Sequence, residues 1–344
     1  MLPGVDRGKS LLASRVRFGI VGIATGALAG IGLAAWIATD FRDDLAQQRA
    51  RIAAGGSRLV PTRCGPIEVA EAGPAQGLAV LVVHGSGGGF DQGLALGADL
   101  ALRGFRVIAP SRLGYLRTPW PATLATGDAA AGEAQAEQFA CLLDAMGLGE
   151  VALMGVSAGA ISATEFAARH PQRTKALVLM VPAAYRPDPT PPLPGWAQVV
   201  LEGLIAADLP FWLAARFAPD QVRRFVMAAP PAAYAAASED EKRRADRLLR
   251  EIAPIGARRR GLLHDTLATQ RVPRPRFEAI RAPTLAISAR DDFFGTLASA
   301  AHAAQQIPGA RLLVFDRGGH LLLNHQPEVT AAIETLLRPP RAGP

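Results

Sequence analysis

The residues best suited to chemistry cluster around Ser157. Residues 150–159 read Glu-Val-Ala-Leu-Met-Gly-Val-Ser-Ala-Gly. An apolar run, 151–154, stops at Gly155, and Ser157 stands between Gly155 and Gly159. Small residues in a helical pattern then continue to His170 and Pro171. The order is strand, sharp turn, helix. A serine held in such a turn needs small neighbours two residues away on each side, because strand and helix pass too close for larger side chains. Its hydroxyl is a poor nucleophile near neutral pH, so a base must take its proton and a third group must orient that base. The competing reading is a structural serine in a glycine-rich loop.

Position sorts the six histidines. His170 closes the helix after the serine, His264 and His302 fall in helical patterns, and His325 sits beside Pro327 where the last helix begins. His320 follows the apolar run 311–315 through Asp316-Arg317-Gly318-Gly319, which suits a base reaching back over a sheet edge; His325 is the alternate. The acid is expected after the preceding strand, where 285–292 reads Leu-Ala-Ile-Ser-Ala-Arg-Asp-Asp. Adjacent side chains point different ways, so one of Asp291 and Asp292 faces the histidine, and the residues alone leave both open.

Those groups need a scaffold that brings them to one edge. Residues 58–63 and 67–72 are short alternating runs around Cys64-Gly65-Pro66, which predicts a hairpin. Residues 78–83 are continuously apolar, as expected of a strand buried on both faces, and end in His84-Gly85-Ser86-Gly87-Gly88-Gly89. Helical patterns (93–102, 129–146) then alternate with apolar strands (105–109, 151–154, 176–181). The fold class is therefore α/β, a doubly wound, mostly parallel sheet with helices on both faces. The rhythm breaks at Pro182 and resumes with strand 283–288, helix 296–306, strand 311–315 and helix 326–337. Between them, 183–275 opens with Pro187, Pro189, Pro191, Pro192 and Pro194 and continues in amphipathic pieces such as 196–206 and 239–252. This segment reads as a helical cap inserted into the core formed by 58–182 and 276–338, with 339–344 a tail.

The chain has 344 residues, 49% hydrophobic and 19% charged, which excludes a disordered protein. The net charge of +7 is scattered arginine, with no aromatic RNA-binding motif and no long basic block beyond Arg258-Arg259-Arg260, so no nucleic-acid partner is expected. The two cysteines, Cys64 and Cys141, have no metal-binding spacing; a disulfide between them is left open. Residues 1–17 are basic and 18–37 carry no charge, a length of about 30 Å as helix, enough to cross a bilayer. Asp40, Asp43 and Asp44 follow, in a short polar helix and linker (38–57). Basic before and acidic after the span predict a single-pass transmembrane anchor with the N-terminus cytoplasmic and the domain outside. Ala27-Leu28-Ala29 offers the alternative, a cleaved signal and a secreted product. Gly22, Gly26 and Gly30 would also suit a helix contact between two copies, a homodimer.

Taken together, residues 58–337 resemble the α/β-hydrolase fold family, with a helical cap where that family usually carries one. The order serine, acid, histidine is the family's order. In the family the acid lies three residues after a small residue that closes the strand. That residue is Ala289 here, so the resemblance selects Asp292, with Asp291 the lesser option. His84-Gly85 is similar to the family's His-Gly dipeptide, which implies a structural His84 and an oxyanion hole made by the backbone N–H groups of Ser86 and Ala158. Family members often carry Asp-x-x-Gly-x-Gly-x-Ser where this chain has Ser111-Arg-Leu-Gly-Tyr-Leu-Arg-Thr; Gly114 and Thr118 keep the pattern, while Ser111 and Leu116 depart from it. A serine at the nucleophile position argues against the aspartate-based dehalogenases and epoxide hydrolases of this fold. The resemblance implies a serine hydrolase acting on a carboxylic ester or related acyl bond, without cofactor or metal. Trp196, Phe211 and Trp212 in the cap suggest a hydrophobic acyl substrate. A C–C bond hydrolase or cofactor-free haloperoxidase is the alternative within catalysis, and a non-catalytic binding protein the alternative outside it.

Overall fold

The computed structural model describes residues 7–188 and 194–338, with side chains from residue 28 onward. The expected basic segment and tail, the first half of the uncharged span and the prolines at 189–192 therefore fall wholly or partly outside the described residues. The chain forms two compact units, Met1–Arg49 and Ala50–Pro344. Helix α1 (Arg7–Ala54) runs through the stretch expected to end as a linker. The sequence explains this, since no glycine or proline interrupts it between Gly32 and Gly55, and Gly56 then turns the chain with φ +70°. Among the described residues no single helix is long and apolar enough to cross a membrane.

The second unit is built on an eight-stranded sheet in the order β1-β2-β4-β3-β5-β6-β7-β8. Strands β1 (Arg58–Val60) and β2 (Ile67–Ala72) form the expected antiparallel hairpin, and β2 pairs antiparallel with β4 (Arg106–Pro110). Strands β3 (Ala79–Val83), β4, β5 (Val151–Val156), β6 (Thr174–Met180), β7 (Thr284–Ala289) and β8 (Arg311–Phe315) are parallel. Alternate residues of one strand feed opposite cores. Leu81 and Val83 join Phe139, Phe166 and Phe277 on one face. Val80 and Val82 join Leu100, Phe105 and Ile333 on the other. Helices α3 (Ala131–Ala145), α4 (Gly159–Arg169) and α11 (Thr296–Gln306) cover the first face, and α2 (Phe90–Leu102) and α12 (Gln326–Leu337) the second.

The strand order reverses between β3 and β5, since β3 leads to β4 on one side while β5 lies on the other. Open α/β sheets present a crevice at such a point, beyond the carboxyl ends of the strands. Those ends here are His84 and Ser157.

Among the described residues, six α-helices lie between β6 and β7: α5 (Gly195–Ala206), α6 (Asp208–Phe217), α7 (Pro219–Phe225), α8 (Pro231–Ala235), α9 (Glu239–Glu251) and α10 (Arg259–Ala268). They share a small core of Ile205, Phe211, Val222, Leu248, Leu249 and Ile252. Phe211 and Trp212 are buried and Trp196 is 74% exposed. None of the three lines the cavity beside Ala158 or the one beside Tyr185. An amphipathic helix shows in sequence that it has an apolar face, but not what covers that face.

Cys64 and Cys141 are disulfide-bonded, tying the β1–β2 turn to α3.

Candidate active site

Ser157 occupies the turn between β5 and α4 with φ +53°, a left-handed conformation in which non-glycine residues are strained. The flanking glycines are needed sterically. A Cβ on Gly159 would lie 2.4 Å from the Val83 carbonyl oxygen, and one on Gly155 would lie 2.6 Å from the Ala163 Cβ. The turn is fixed to the end of β6 at two points, the Ser157 N–H donating to the Met180 carbonyl (3.0 Å) and the Ala183 N–H to the Ser157 carbonyl (3.1 Å).

The structure brings His320 and Asp292 together, His320 Nδ1 lying 2.8 Å from Asp292 Oδ2. Asp292 also accepts from Thr296 Oγ1 and from the Phe294 N–H (3.0 Å). Burial works against its charge, but the adjacent His320 ring and these hydrogen bonds outweigh it and hold the carboxyl below the ordinary aspartate range. With Nδ1 engaged by the carboxylate, Nε2 of His320 is the nitrogen left to act as base. The Phe294 ring packs edge-on against the imidazole at 5.0 Å between centroids. Asp291 faces elsewhere, accepting from the N–H groups of Gly318 (3.2 Å) and Gly319 (2.8 Å) and so shaping the loop that carries His320. Ser157 Oγ has no hydrogen-bond partner among the described residues, His320 included; such contacts are often long before substrate binds.

The glycine-rich loop 84–89 closes the other side. A Cβ on Gly85 would lie 3.1 Å from the Ser157 Cβ, which puts the loop against the serine. Neither the Ser86 nor the Ala158 backbone N–H donates to a backbone carbonyl among the described residues. His84 is fully buried with both ring nitrogens engaged, Nδ1 against the Gly85 carbonyl (2.7 Å) and Nε2 accepting from the Arg112 N–H (3.0 Å). Burial, then the nearby Arg112, push its pKa well down, so it is a neutral strut. Ser111, the departure from the family pattern, donates to the buried Glu68 of β2 (3.0 Å), which supplies a carboxylate beside that position.

Sequence reasoning missed a buried group that surrounds this loop. Arg112 and Asp265 form an ion pair with Arg112 Nη1 to Asp265 Oδ1 at 3.0 Å and Nη2 to Oδ2 as well. Tyr115 and Ser86 both donate to Asp265 Oδ2, at 2.5 and 3.1 Å. Further along, the fully buried Arg258 of the cap donates to the Gly88 carbonyl (2.5 Å) and to Asp91 (2.7 Å). The only sequence hint was a basic residue directly after the strand end Ala109-Pro110-Ser111. A cavity of about 130 Å³ adjoins the Ser157 turn, or elbow, lined by Ala158, by Ile161 and Ser162 of α4, by Trp120 and Arg112, and by His264 and Asp265 of α10. Among the described residues no cluster of three His, Cys, Asp or Glu side chains is placed to hold a metal ion.

Residues 79–324 match a family model described as alpha/beta hydrolase fold. Two curated relatives are each 28% identical to this chain. One, the 2-hydroxy-6-oxo-6-phenylhexa-2,4-dienoate hydrolase of Burkholderia cepacia, aligns over 71% of this chain and 82% of its own length. The other, the 2-hydroxy-6-oxononadienedioate/2-hydroxy-6-oxononatrienedioate hydrolase of Paraburkholderia xenovorans, aligns over 70% and 80%. Among solved structures, an alpha/beta hydrolase fold protein from Nakamurella multipartita superposes with TM-score 0.66 at 28% identity, covering 82% of this chain and 98% of that one. A thermophilic esterase from Thermogutta terrifontis superposes with TM-score 0.55 at 26% identity, covering 82% and 98%.

Proposed function

The chain belongs to the alpha/beta hydrolase fold family, and from that premise we propose that it is a serine hydrolase cleaving a carboxylic ester or related acyl bond. The observation that carries this reading is the strained Ser157, at φ +53° between two glycines that admit no side chain, set against the glycine-rich loop. In this reading His320 Nε2 takes the proton from Ser157 Oγ as it attacks the carbonyl carbon. Asp292 holds the imidazole by Nδ1 and stabilises the imidazolium that forms. The N–H groups of Ser86 and Ala158 receive the oxyanion, each well-aimed donor being worth roughly 3 kcal/mol in the transition state. His320 then passes its proton to the leaving alkoxide, and water repeats the sequence on the acyl-enzyme.

A second reading, C–C bond hydrolysis, is favoured by the names of the curated relatives, whose substrates are dienoates carrying carboxylates. The cavity next to the elbow offers such a carboxylate little. Of its two arginines, Arg112 is bound to Asp265 and Arg271 is exposed. A neutral carbonyl substrate fits this electrostatic balance better. Turnover of a p-nitrophenyl ester series, beside a 2-hydroxy-6-oxo-dienoate, by the full-length protein and by Ser157→Ala separates the readings. Ester turnover that disappears with Ser157 supports the first, and Ser157-dependent turnover of the dienoate alone would replace it with the second.

We further propose that residues 18–37 anchor the protein in a membrane with the hydrolase unit on the extracytoplasmic side. The Cys64–Cys141 disulfide supports an oxidising compartment. Protease added to intact cells should digest the hydrolase unit; its full protection would sink this topology.

A further inference from the structure

We propose that Asp265, on cap helix α10, is a positioning residue for the oxyanion loop, so that seating of the cap sets the aim of the Ser86 N–H. The inference rests on the serine-hydrolase reading above.

The loop has little stiffness of its own, because Gly85, Gly87, Gly88 and Gly89 make up most of it. Beside the contacts of Gly85 with His84 Nδ1 (2.7 Å), the Gly88 N–H (3.3 Å) and Gln92 (3.0 Å), three restraints at successive residues lead to the same carboxylate. The Gly85 carbonyl accepts from Arg112 Nη2 (3.2 Å), and that nitrogen also donates to Asp265. Ser86 Oγ donates to Asp265 Oδ2 directly (3.1 Å). The Gly87 N–H donates to the Tyr115 hydroxyl (3.3 Å), which itself donates to Asp265 Oδ2 (2.5 Å). The first restraint bears on catalysis most directly. The Gly85 carbonyl and the Ser86 N–H belong to one peptide plane, so holding the oxygen fixes where the N–H points.

Asp265 is 2% exposed and Arg112 6%. A buried pair is a costly way to staple a cap, since desolvation offsets most of its attraction. What it provides here is a fixed acceptor for Arg112, Tyr115 and Ser86 at once. The carboxylate comes from the cap and the donors from the core, so the loop takes this shape when α10 is seated.

The test is steady-state hydrolysis of a p-nitrophenyl ester by the full-length protein and its variants Asp265→Asn, Ser86→Ala, Tyr115→Phe and the Ser86→Ala/Asp265→Asn pair. Ser86→Ala keeps the backbone N–H and removes only the hydroxyl tether. Each single change should lower kcat by about tenfold and leave KM within about twofold, the mark of an interaction made in the transition state. The double variant should be no slower than its slower parent, because both changes cut one restraint. Should Asp265→Asn fail to fold, Ser86→Ala and Tyr115→Phe form the same cycle, being small deletions at the ends of the network. Multiplying effects, or changes confined to KM, would show a cap that merely packs and would overturn the proposal. Fluorophosphonate labelling of the wild type, lost in Ser157→Ala, tells the two readings apart. Labelling with undiminished kcat in all the single variants sinks the positioning role alone, whereas no labelling and no turnover in the wild type sinks the serine-hydrolase reading and this one with it.

Discussion

The nucleophile elbow and the glycine-rich loop are equivalent by position and opposite in construction. Both follow a parallel strand, β5 and β3, at the point where the strand order reverses. The elbow is held by its own immediate surroundings. Gly155 and Gly159 let β5 and α4 touch, and two backbone hydrogen bonds tie Ser157 to the end of β6. The loop has local contacts of Gly85 with His84 and Gln92, and is further held from a distance by Arg258 and Asp265 of the cap acting with Arg112 and Tyr115 of the core. One half of the site is thus set by the core, and the other is completed by the insertion. Core damage should abolish chemistry outright, while damage to the cap contacts should degrade it by steps.

The largest expected effect lies in the core-held half. Ser157→Ala should reduce kcat for ester hydrolysis about ten-thousandfold or more, measured by initial rates, with the thermal midpoint little changed. Next come the paired aspartates. Asp292→Asn should cost about a thousandfold or more in kcat, because the imidazole loses the partner that fixes its tautomer. Asp291→Asn, which loosens only the Gly318–Gly319 turn, should cost about tenfold. Equal losses in the two would contradict the assignment of the triad acid.

A control outside both halves sharpens the contrast. The disulfide links the β1–β2 turn to α3 across a separation of 77 residues, so replacing Cys64 by Ser and Cys141 by Ala should lower unfolding stability by about 2–5 kcal/mol. Denaturant titration measures that loss, and kcat should hold while the protein stays folded.

The smallest effect is on acid stability. Burial opposes the charge of Asp265, but the attraction of Arg112, the hydrogen bonds from Arg112 and Tyr115 and the nearby His264 outweigh it and depress its folded-state pKa. A depressed carboxylate contributes stability that is fully present above its unfolded value, about 4, and is lost as pH falls through the folded value. Thermal midpoints should therefore drop below about pH 4, and Asp265→Asn should flatten that slope. An unchanged slope would show that the cap-held half contributes nothing to acid unfolding.

The two halves also differed in how legible they were. The elbow could be read because its sequence signal lies within about ten residues of Ser157, in a local pattern of strand, glycine and helix. His320 could be placed because it follows a strand, and the family spacing from Ala289 pointed to Asp292; the residues themselves did not separate it from Asp291. The Arg112–Asp265 pair spans 153 residues, and nothing local to either residue names the other. Cys64 and Cys141 posed the same difficulty. The polarity of residues 38–57 suggests a partial linker, yet composition does not stop a helix that meets no glycine or proline before Gly55. Trp196, Phe211 and Trp212 suggest a hydrophobic acyl substrate through an apolar, amphipathic cap pattern that fits a self-packed cap equally well.

The central claim is that Ser157 is the nucleophile, and one measurement addresses it directly. The full-length protein is treated with a fluorophosphonate, digested, and the adduct located by peptide mass spectrometry. The account predicts a single phosphonylated site at Ser157, with none when His320 is replaced by Ala. An unlabelled Ser157 in folded protein that hydrolyses esters, or an adduct on another residue that blocks turnover, would contradict it.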